Sequence, residues 1–319
     1  MTHDPLLLIF GLGYCGRAVA AAARAAGYSV VGTTRTGGNG AILFANAAPR
    51  LAEATHILIT AAPEENGGDP TLARYRAEIT AAPKLRWIGY LSSTGVYGDR
   101  EGEWVDETTP ARPASPRTER RVAAERLWQD FAASHAVDLF RLAGIYGPGR
   151  SVFDDLRAGR ARRIIKPGQF FSRIHRDDIA RAVLAAMANA PARGVRIFNL
   201  ADDAPSASAD VIAEAARLLG LQPPPAIPFA EAAPAMSAMA RSFWAENRRV
   251  SNARTKAALG LAWRYPSYRE GLAAILAEES GESRAEQGEI GGTREPVIAV
   301  LDQGDGDIAA GDLLGEAER

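Results

Sequence analysis

Three glycines near the start of the chain have a spacing that suits phosphate binding. Gly11, Gly13 and Gly16 follow the pattern G-x-G-x-x-G between five apolar residues, which predict a buried strand, and an alanine-rich run, which predicts a helix. Gly11 permits a tight turn, Gly13 lets the backbone approach a pyrophosphate, and Gly16 lets the helix pack closely. The free N–H groups at the helix start favour an anion. We therefore expect a dinucleotide here, held also by Tyr14 and Cys15; a glycine-rich turn without a ligand is the alternative.

The end of the second predicted strand indicates which dinucleotide binds. An Asp or Glu there would bond the ribose 2′-hydroxyl of NAD, but no acidic residue occurs between Asp4 and Glu53. Arg35 follows the strand instead, and a guanidinium can pair with a 2′-phosphate. Arg17 can add a second charge. We therefore predict NADP(H) as the preferred cofactor, with NAD(H) as the alternative and a solvated loop position as the other interpretation of Arg35.

Apolar runs alternate with helical segments over the first two hundred residues. They predict strands at residues 6–10, 28–34, 41–44, 56–62, 85–92, 137–142 and 195–200. This spacing suits right-handed βαβ crossovers and predicts an α/β fold with a doubly wound parallel sheet of the Rossmann type. Ala61 and Ala62 end the fourth strand at the rim where such sheets bind ligands, so we assign them to the cofactor site.

Changes in pattern divide the chain. Residues 1–203 are predicted to form the NAD(P)-binding domain, with an insertion at about 147–175 that contributes to a lid. Residues 204–280 are predicted to form a small substrate or lid domain. Residues 281–319 contain ten acidic residues and eight glycines against three arginines, which predicts a solvated, disordered tail.

Composition narrows the class of protein. The formal net charge of −1 gives no global field that would select nucleic acid or an acidic membrane, and no stretch approaches the length of a membrane span. Cys15 is the only cysteine, which rules out an internal disulfide and suits a reducing compartment. We predict a cytoplasmic protein with a small-molecule substrate and no metal site, as a monomer or homodimer.

Six motifs occur in a characteristic order along the chain. They are the nucleotide turn and residues 91–98, 123–125, 141–148, 174–180 and 265–272. In this order they resemble the extended short-chain dehydrogenase/reductases of the NAD-dependent epimerase/dehydratase superfamily, over about residues 5–277. The Gly-Thr-Thr-Arg end of the second strand and residues 245–252 look like a poorly characterised bacterial branch, the YeeZ-like proteins.

The resemblance implies an active site that is incomplete in this chain. In the superfamily a Ser after the fifth strand and a Tyr-x-x-x-Lys on the next helix carry the acid/base step. The motif Val96-Tyr97-Gly98 places that serine at Ser93, whereas Arg117 and Arg121 replace the tyrosine and the lysine. None of the eight tyrosines has a lysine four residues later. Arginine stays protonated, so this pair can bind an anion or stabilise an oxyanion but cannot transfer the proton.

Three residues are candidate replacements for the missing acid. Tyr97 and Thr94 lie on the loop after the fifth strand, and His175 titrates near neutrality. Each has a structural alternative: Tyr97 as a ring packed under the lid, Thr94 as a turn hydroxyl, and His175 as a cap beside Asp178.

Two functions follow from this pattern. The first is an NADP(H)-dependent oxidoreductase for a small anionic or sugar-nucleotide-like substrate, with one-way reduction favoured over epimerisation because epimerisation needs reversible proton exchange. The alternative is a catalytically lapsed NADP(H)-binding sensor or partner-binding protein. The fold alone does not decide between them, because function resides in the site.

Overall fold

The structure is a computed structural model that describes residues 5–38 and 40–289, with side chains to residue 281. The predicted tail falls largely outside the described residues, although the last helix continues past Gly281 to Glu289. Among the described residues, no helix combines the length and the apolar composition that a membrane span requires.

Strands and helices alternate along most of the chain. The strands are β1 (Leu6–Phe10), β2 (Ser29–Thr34), β3 (Ala41–Leu43), β4 (His56–Ile59), β5 (Trp87–Ser93), β6 (Trp104–Val105), β7 (Ala136–Leu142), β8 (Gly144–Tyr146), β9 (Arg163–Ile165), β10 (Arg173–His175), β11 (Gly194–Leu200), β12 (Ala226–Pro228) and β13 (Arg249–Val250). The helices are α1 (Tyr14–Ala25), α2 (Ala48–Glu53), α3 (Pro70–Ala81), α4 (Pro116–Gln129), α5 (Val152–Arg157), α6 (Arg176–Ala188), α7 (Ser208–Leu218), α8 (Phe229–Ala232), α9 (Ala238–Ala245), α10 (Ala253–Leu259) and α11 (Tyr268–Glu289).

Seven strands form one parallel sheet in the order β11-β7-β5-β4-β1-β2-β3. The order reverses at β1, so β1 and β4 flank the switch point at which such sheets bind ligands. The predicted doubly wound α/β fold of the Rossmann type is confirmed.

Side chains that alternate along β1 explain why helices cover both faces of the sheet. Leu7 and Ile9 point into a core shared with α1 and α6, whereas Leu8 and Phe10 point into a core shared with α2, α3 and α4. Apolar residues at successive positions thus produce a strand that is buried on both sides, and the glycine turn at its carboxyl end is held rigidly.

A third apolar core lies in the two segments for which the sequence predicts a lid. It joins residues from both predicted parts of the lid: Tyr146, Phe153, Leu156, Ile164, Val211, Ile212, Ala215, Trp244, Tyr268 and Leu272. Strands β9 and β12 also pair across these parts. One segment departs from the predicted division at residue 204: β13 pairs with β6, and Leu259 and Trp263 pack into the core of the sheet domain. The chain therefore returns from the lid to the sheet.

Candidate active site

In the turn after β1, the backbone at Gly11 has a conformation that only glycine adopts without strain. Gly11 has a φ of +95°, and a Cβ there would lie 2.7 Å from Thr60 Oγ1 and 3.1 Å from the Ala61 amide nitrogen. A Cβ at Gly16 would lie 2.5 Å from the Gly11 carbonyl oxygen. Both glycines therefore set the close approach of β1, β4 and α1, while Gly13 faces the cleft described below.

The start of α1 fits a pyrophosphate. Its N-cap residue is Gly13, which has no side chain to accept from the first-turn N–H groups, and the first turn contains no acidic residue. Gly13, Tyr14 and Cys15 all line the cleft. Because the N–H groups of a helix start need acceptors and carry partial positive charge, this end of the cleft is suited to a bound phosphate.

The end of β2 lies beside this turn. Gly11 N donates to Thr33 Oγ1 at 3.2 Å, and Gly37 N donates to Thr34 Oγ1 at 2.9 Å. Arg35 follows directly and is exposed, and the Arg17 guanidinium donates to the Leu12 carbonyl at 3.0 Å. The region that would meet the ribose of a dinucleotide therefore holds hydroxyls and guanidinium groups.

A cleft of about 510 Å³ runs from the start of α1, past the carboxyl ends of β5 and β7, to the lid. Among the predicted site residues it brings together Gly13, Tyr14, Cys15, Ala62, Ser93, Thr94, Arg117 and Arg121. Its lining also contains the arginines at 120, 150, 173 and 248 and the glutamates at 65 and 246, which leaves an excess of four positive charges. The predicted site residues Gly11, Gly16, Arg35, Ala61, Tyr97 and His175 do not line it.

Ser93 ends β5 at the floor of the cleft. Its Oγ accepts from the Gly95 amide at 3.1 Å, so the same hydroxyl can still donate its hydrogen. Thr94, which begins a short 3₁₀ turn, also lines the cleft and is buried. The two hydroxyls lie where a hydrogen-bond donor can reach a substrate oxygen.

Arg117 and Arg121 lie one turn apart on α4, on the side that faces the cleft. The Arg117 guanidinium lies 4.8 Å from the centre of the Phe243 ring, and burial lowers the pKa of this arginine. Arg121 Nη1 donates to the Tyr90 hydroxyl and to the Leu91 carbonyl, both at 3.0 Å. Both groups stay charged at working pH, so they supply electrostatic stabilisation and not a proton.

Tyr97 lies outside the cleft. Its side chain is fully buried, and its hydroxyl donates to Asn199 Oδ1 at 2.8 Å. The Arg141 guanidinium covers its ring at 4.8 Å, and burial raises the pKa of the phenol. We therefore no longer propose Tyr97 as the proton donor, because its hydroxyl is engaged in the core.

His175 is the N-cap of α6 and also lies outside the cleft. Its Nδ1 accepts from the Asp177 amide at 3.2 Å, and its ring packs between Tyr146 and Tyr265. Burial lowers the pKa of this imidazole below its ordinary value of 6.5. His175 is therefore neutral at pH 7. Its position fits the alternative role of a helix cap and not the role of a proton donor in the cleft.

The lowered pKa of His175 predicts how stability depends on pH. Between the folded pKa and 6.5 the unfolded chain binds more protons than the folded chain, so this group stabilises the fold above about pH 6.5 and ceases to do so as pH falls. We expect the variant His175→Gln to lose less unfolding free energy than the parent between pH 6.5 and pH 4.5, as measured by urea titrations. An equal fall in both proteins would contradict the assignment.

Several cleft residues are missed by the sequence analysis. Arg150 is buried and lies over the Tyr14 ring at 5.5 Å, and the Tyr14 hydroxyl donates to the Pro148 carbonyl at 3.0 Å. Arg248 pairs with Glu246 at 2.6 Å and donates to the Gly98 carbonyl. Arg150 comes two residues after a motif already recognised, and the Gly-Pro-Gly turn before it was its only sequence signal.

Comparisons with known proteins found a matching family model and a relative in Escherichia coli. The family model described as "NAD dependent epimerase/dehydratase family" matches residues 77–201. The chain is 30% identical over 251 residues to Protein YeeZ of Escherichia coli strain K12, which covers 68% of this chain and 84% of YeeZ.

Solved structures have the same fold. A functionally unknown conserved protein from Silicibacter pomeroyi is 46% identical, with a TM-score of 0.80, and the match covers 86% of this chain and 99% of that one. MoeE5 in complex with UDP-glucose and NAD is 22% identical, with a TM-score of 0.69, and the match covers 88% of this chain and all of MoeE5. The second match shows the fold alone.

Proposed function

This chain belongs to the NAD-dependent epimerase/dehydratase family, and from that premise we propose that it is an NADP(H)-dependent oxidoreductase that reduces a carbonyl group in a small anionic substrate. One observation carries the proposal: a single cleft joins the uncapped start of α1 to the Ser93 hydroxyl and to a group of arginines. The cofactor and the substrate would therefore occupy neighbouring parts of one cavity.

The residues of the chain divide into cofactor-binding and substrate-binding groups. The backbone at Gly13, Tyr14 and Cys15 would hold the pyrophosphate, with Arg150 adding charge from the lid side, and Arg35 would hold the 2′-phosphate. A bound nicotinamide coenzyme supplies the hydride. The third apolar core would cover the far side of the cleft and limit the access of water.

Substrate activation in this proposal rests on hydrogen bonds and charge. Ser93 would donate to the carbonyl oxygen, and Arg117 and Arg121 would hold the anion and stabilise developing negative charge beside it. Thr94 stays a candidate for the proton donor because its hydroxyl lines the cleft. A positioned general acid typically contributes about 10²–10⁴ in rate, so turnover should be slow compared with relatives that have the Tyr and Lys pair.

A lapsed NADP(H)-binding sensor is the second candidate. The replacement of both acid/base residues by Arg117 and Arg121 favours it, since neither guanidinium transfers a proton. Consumption of NADPH by the purified protein, measured against panels of aldehydes, ketones and sugar nucleotides, separates the two functions. Turnover of any carbonyl class supports the reductase, whereas NADPH binding with no consumption supports the sensor.

The 2′-phosphate role of Arg35 predicts a switch in cofactor preference. Losing a charge-assisted hydrogen bond and placing a carboxylate near the phosphate should weaken NADPH binding about 10–100-fold in Arg35→Asp, while NADH binding holds or improves. The matched control is Arg86→Asp, because Arg86 is an exposed arginine at the amino end of β5, whereas Arg35 follows the carboxyl end of β2. Fluorescence titration gives both affinities, and an unchanged NADPH-to-NADH ratio in Arg35→Asp would refute the role.

A further inference from the structure

The substrate end of the cleft has one strongly cationic wall. Arg117, Arg120 and Arg121 reach it from α4, and Arg248 reaches it from the segment before β13. The Glu246 carboxylate raises the pKa of Arg117, whereas the neighbouring guanidinium groups of Arg120, Arg121 and Arg248 lower it. Guanidinium groups outnumber carboxylates in this part of the lining, so the wall favours an anion.

A second part of the lining, the apolar wall, comes from the lid side of the cleft. Side chains from four elements of the lid and its connections form it: Val152, Phe170, Phe171, Val211, Ile212, Met239 and Phe243. Met239 is 50% exposed, which is unusual for a large apolar side chain that faces a concave surface. Phe171 is held from behind by Trp244, at 5.1 Å between ring centres in an edge-to-face arrangement. The wall is thus a supported apolar surface and not a set of isolated side chains.

The two walls meet where the Phe243 ring lies under the Arg117 guanidinium. We infer that the substrate is an aromatic anion, whose acidic group lies among the α4 arginines and whose flat apolar body lies against Phe243, Met239 and Phe171. This inference rests on the proposed reductase function, because it assigns the substrate of the same cleft. Ser93 lines the same cleft, so its hydroxyl could donate to the carbonyl of such a molecule.

A hydroxyl-rich sugar suits the apolar wall poorly. Each hydroxyl buried against Phe, Ile or Met side chains without a partner opposes binding, whereas an apolar ring gains from leaving water and from edge or face contact with Phe243. Ser172 and Ser208 are the neutral hydroxyl side chains that the lid side contributes to the described lining of the cleft. Arg150 and Arg173 add donors on this side, but the apolar side chains outnumber the polar ones, so a sugar ring lying against them would leave hydroxyls without partners.

The experiment uses the full chain saturated with NADP⁺ and four probes measured by calorimetry. Benzoylformate and pyruvate share a ketone and a carboxylate and differ in a phenyl ring, acetophenone lacks the carboxylate, and glucuronate joins a carboxylate to a hydroxyl-rich sugar ring. We expect benzoylformate to bind at least about tenfold more tightly than pyruvate, acetophenone and glucuronate. Glucuronate binding more tightly than benzoylformate, or benzoylformate and pyruvate binding alike, would overturn the inference.

Variants separate the two walls. Phe243→Ala should remove most of the preference for benzoylformate over pyruvate, and Arg117→Gln should weaken both anions while leaving acetophenone unchanged. Phe229→Ala is the matched control, because Phe229 packs on Trp244 in the lid but does not line the cleft. It should keep the preference, and its unfolding midpoint reports any loss of the lid. Loss of the preference in Phe229→Ala with an unchanged midpoint would count against the assignment of the wall.

The same titrations distinguish failure of this inference from failure of the proposed function. NADP⁺ affinity is measured first in the parent and in every variant. If NADP⁺ does not bind the parent, the proposed function falls and this inference falls with it. If NADP⁺ binds and the ring preference is absent, the inference alone is wrong.

Discussion

The double substitution Arg117→Tyr, Arg121→Lys is expected to raise the rate of NADPH-dependent reduction of neutral aldehydes and ketones by about 10²–10⁴-fold, the usual contribution of a positioned general acid. The two positions lie one helical turn apart on α4 and line the cleft beside Ser93. Arg121 already reaches the Leu91 carbonyl, so a lysine there has a backbone acceptor within range. Its charge would favour the phenolate form of the neighbouring tyrosine and so tune that group as an acid.

The control for this gain is the double substitution Arg117→Phe, Arg121→Lys, which has the ring and the ammonium group but no phenolic hydroxyl. Neutral substrates are used because the anion-binding role proposed for Arg117 is lost in both variants. Rates are followed by NADPH absorbance under saturating cofactor. A tyrosine variant no faster than the phenylalanine variant would show that α4 does not present position 117 to the carbonyl, and would favour the sensor.

The variant Glu125→Ala is expected to lose about 3–5 kcal/mol of unfolding free energy, because it leaves a buried guanidinium without its counter-charge. Glu125 is 2% exposed. Its two carboxylate oxygens accept from Arg141 at 3.1 and 2.8 Å, and one of them also accepts from the Ser92 hydroxyl at 2.6 Å. The loss should reach the cleft, since Ser92 lines it and Arg141 covers Tyr97.

The matched control is Glu119→Ala, an exposed glutamate in the first turn of the same helix. Its removal should cost less than about 1 kcal/mol, the range of a charge at a helix start. Denaturant titrations of both variants give the comparison. Equal losses, or a loss below 1 kcal/mol for Glu125→Ala, would contradict the structural role of the buried pair.

The sheet was predictable from the sequence because its strands are apolar runs that alternate with helical segments. The strand predicted at residues 195–200 is found at Gly194–Leu200. Where polar residues end a strand, the predicted bounds were less accurate. Residues 60–62 follow β4 and are not part of it, because Thr60 already donates its side-chain hydrogen to the glycine turn.

The direction of side chains after β5 could not be read from the motif. A 3₁₀ turn at Thr94–Tyr97 leaves Ser93 and Thr94 facing the cleft and carries Tyr97 into the core. The spacing of these residues fits either orientation, so the sequence alone kept Tyr97 as a candidate acid. In the structure, the turn places the Tyr97 hydroxyl in the core, where it donates to the Asn199 side chain.

The part of the cleft lining around Arg117, Phe243 and Arg248 depends on contacts between distant parts of the chain. Phe243 meets Arg117 across more than a hundred residues, and Arg248 is brought to the cleft by β13, which is two residues long. A two-residue strand has no recognisable periodicity, and the resemblance noted for residues 245–252 assigned no role to Arg248. The sequence therefore predicted the lining at the start of α1 more completely than the lining that residues 239–248 contribute.

Calorimetric titration of the purified chain with NADPH and, separately, with NADH tests the central claim most directly. The account predicts saturable binding of one NADPH per chain, at least about tenfold tighter than NADH, because the uncapped start of α1 accepts the pyrophosphate and Arg35 accepts the 2′-phosphate. An absence of heat with both nucleotides would contradict the dinucleotide site itself. Tighter binding of NADH would contradict the assignment of the cofactor.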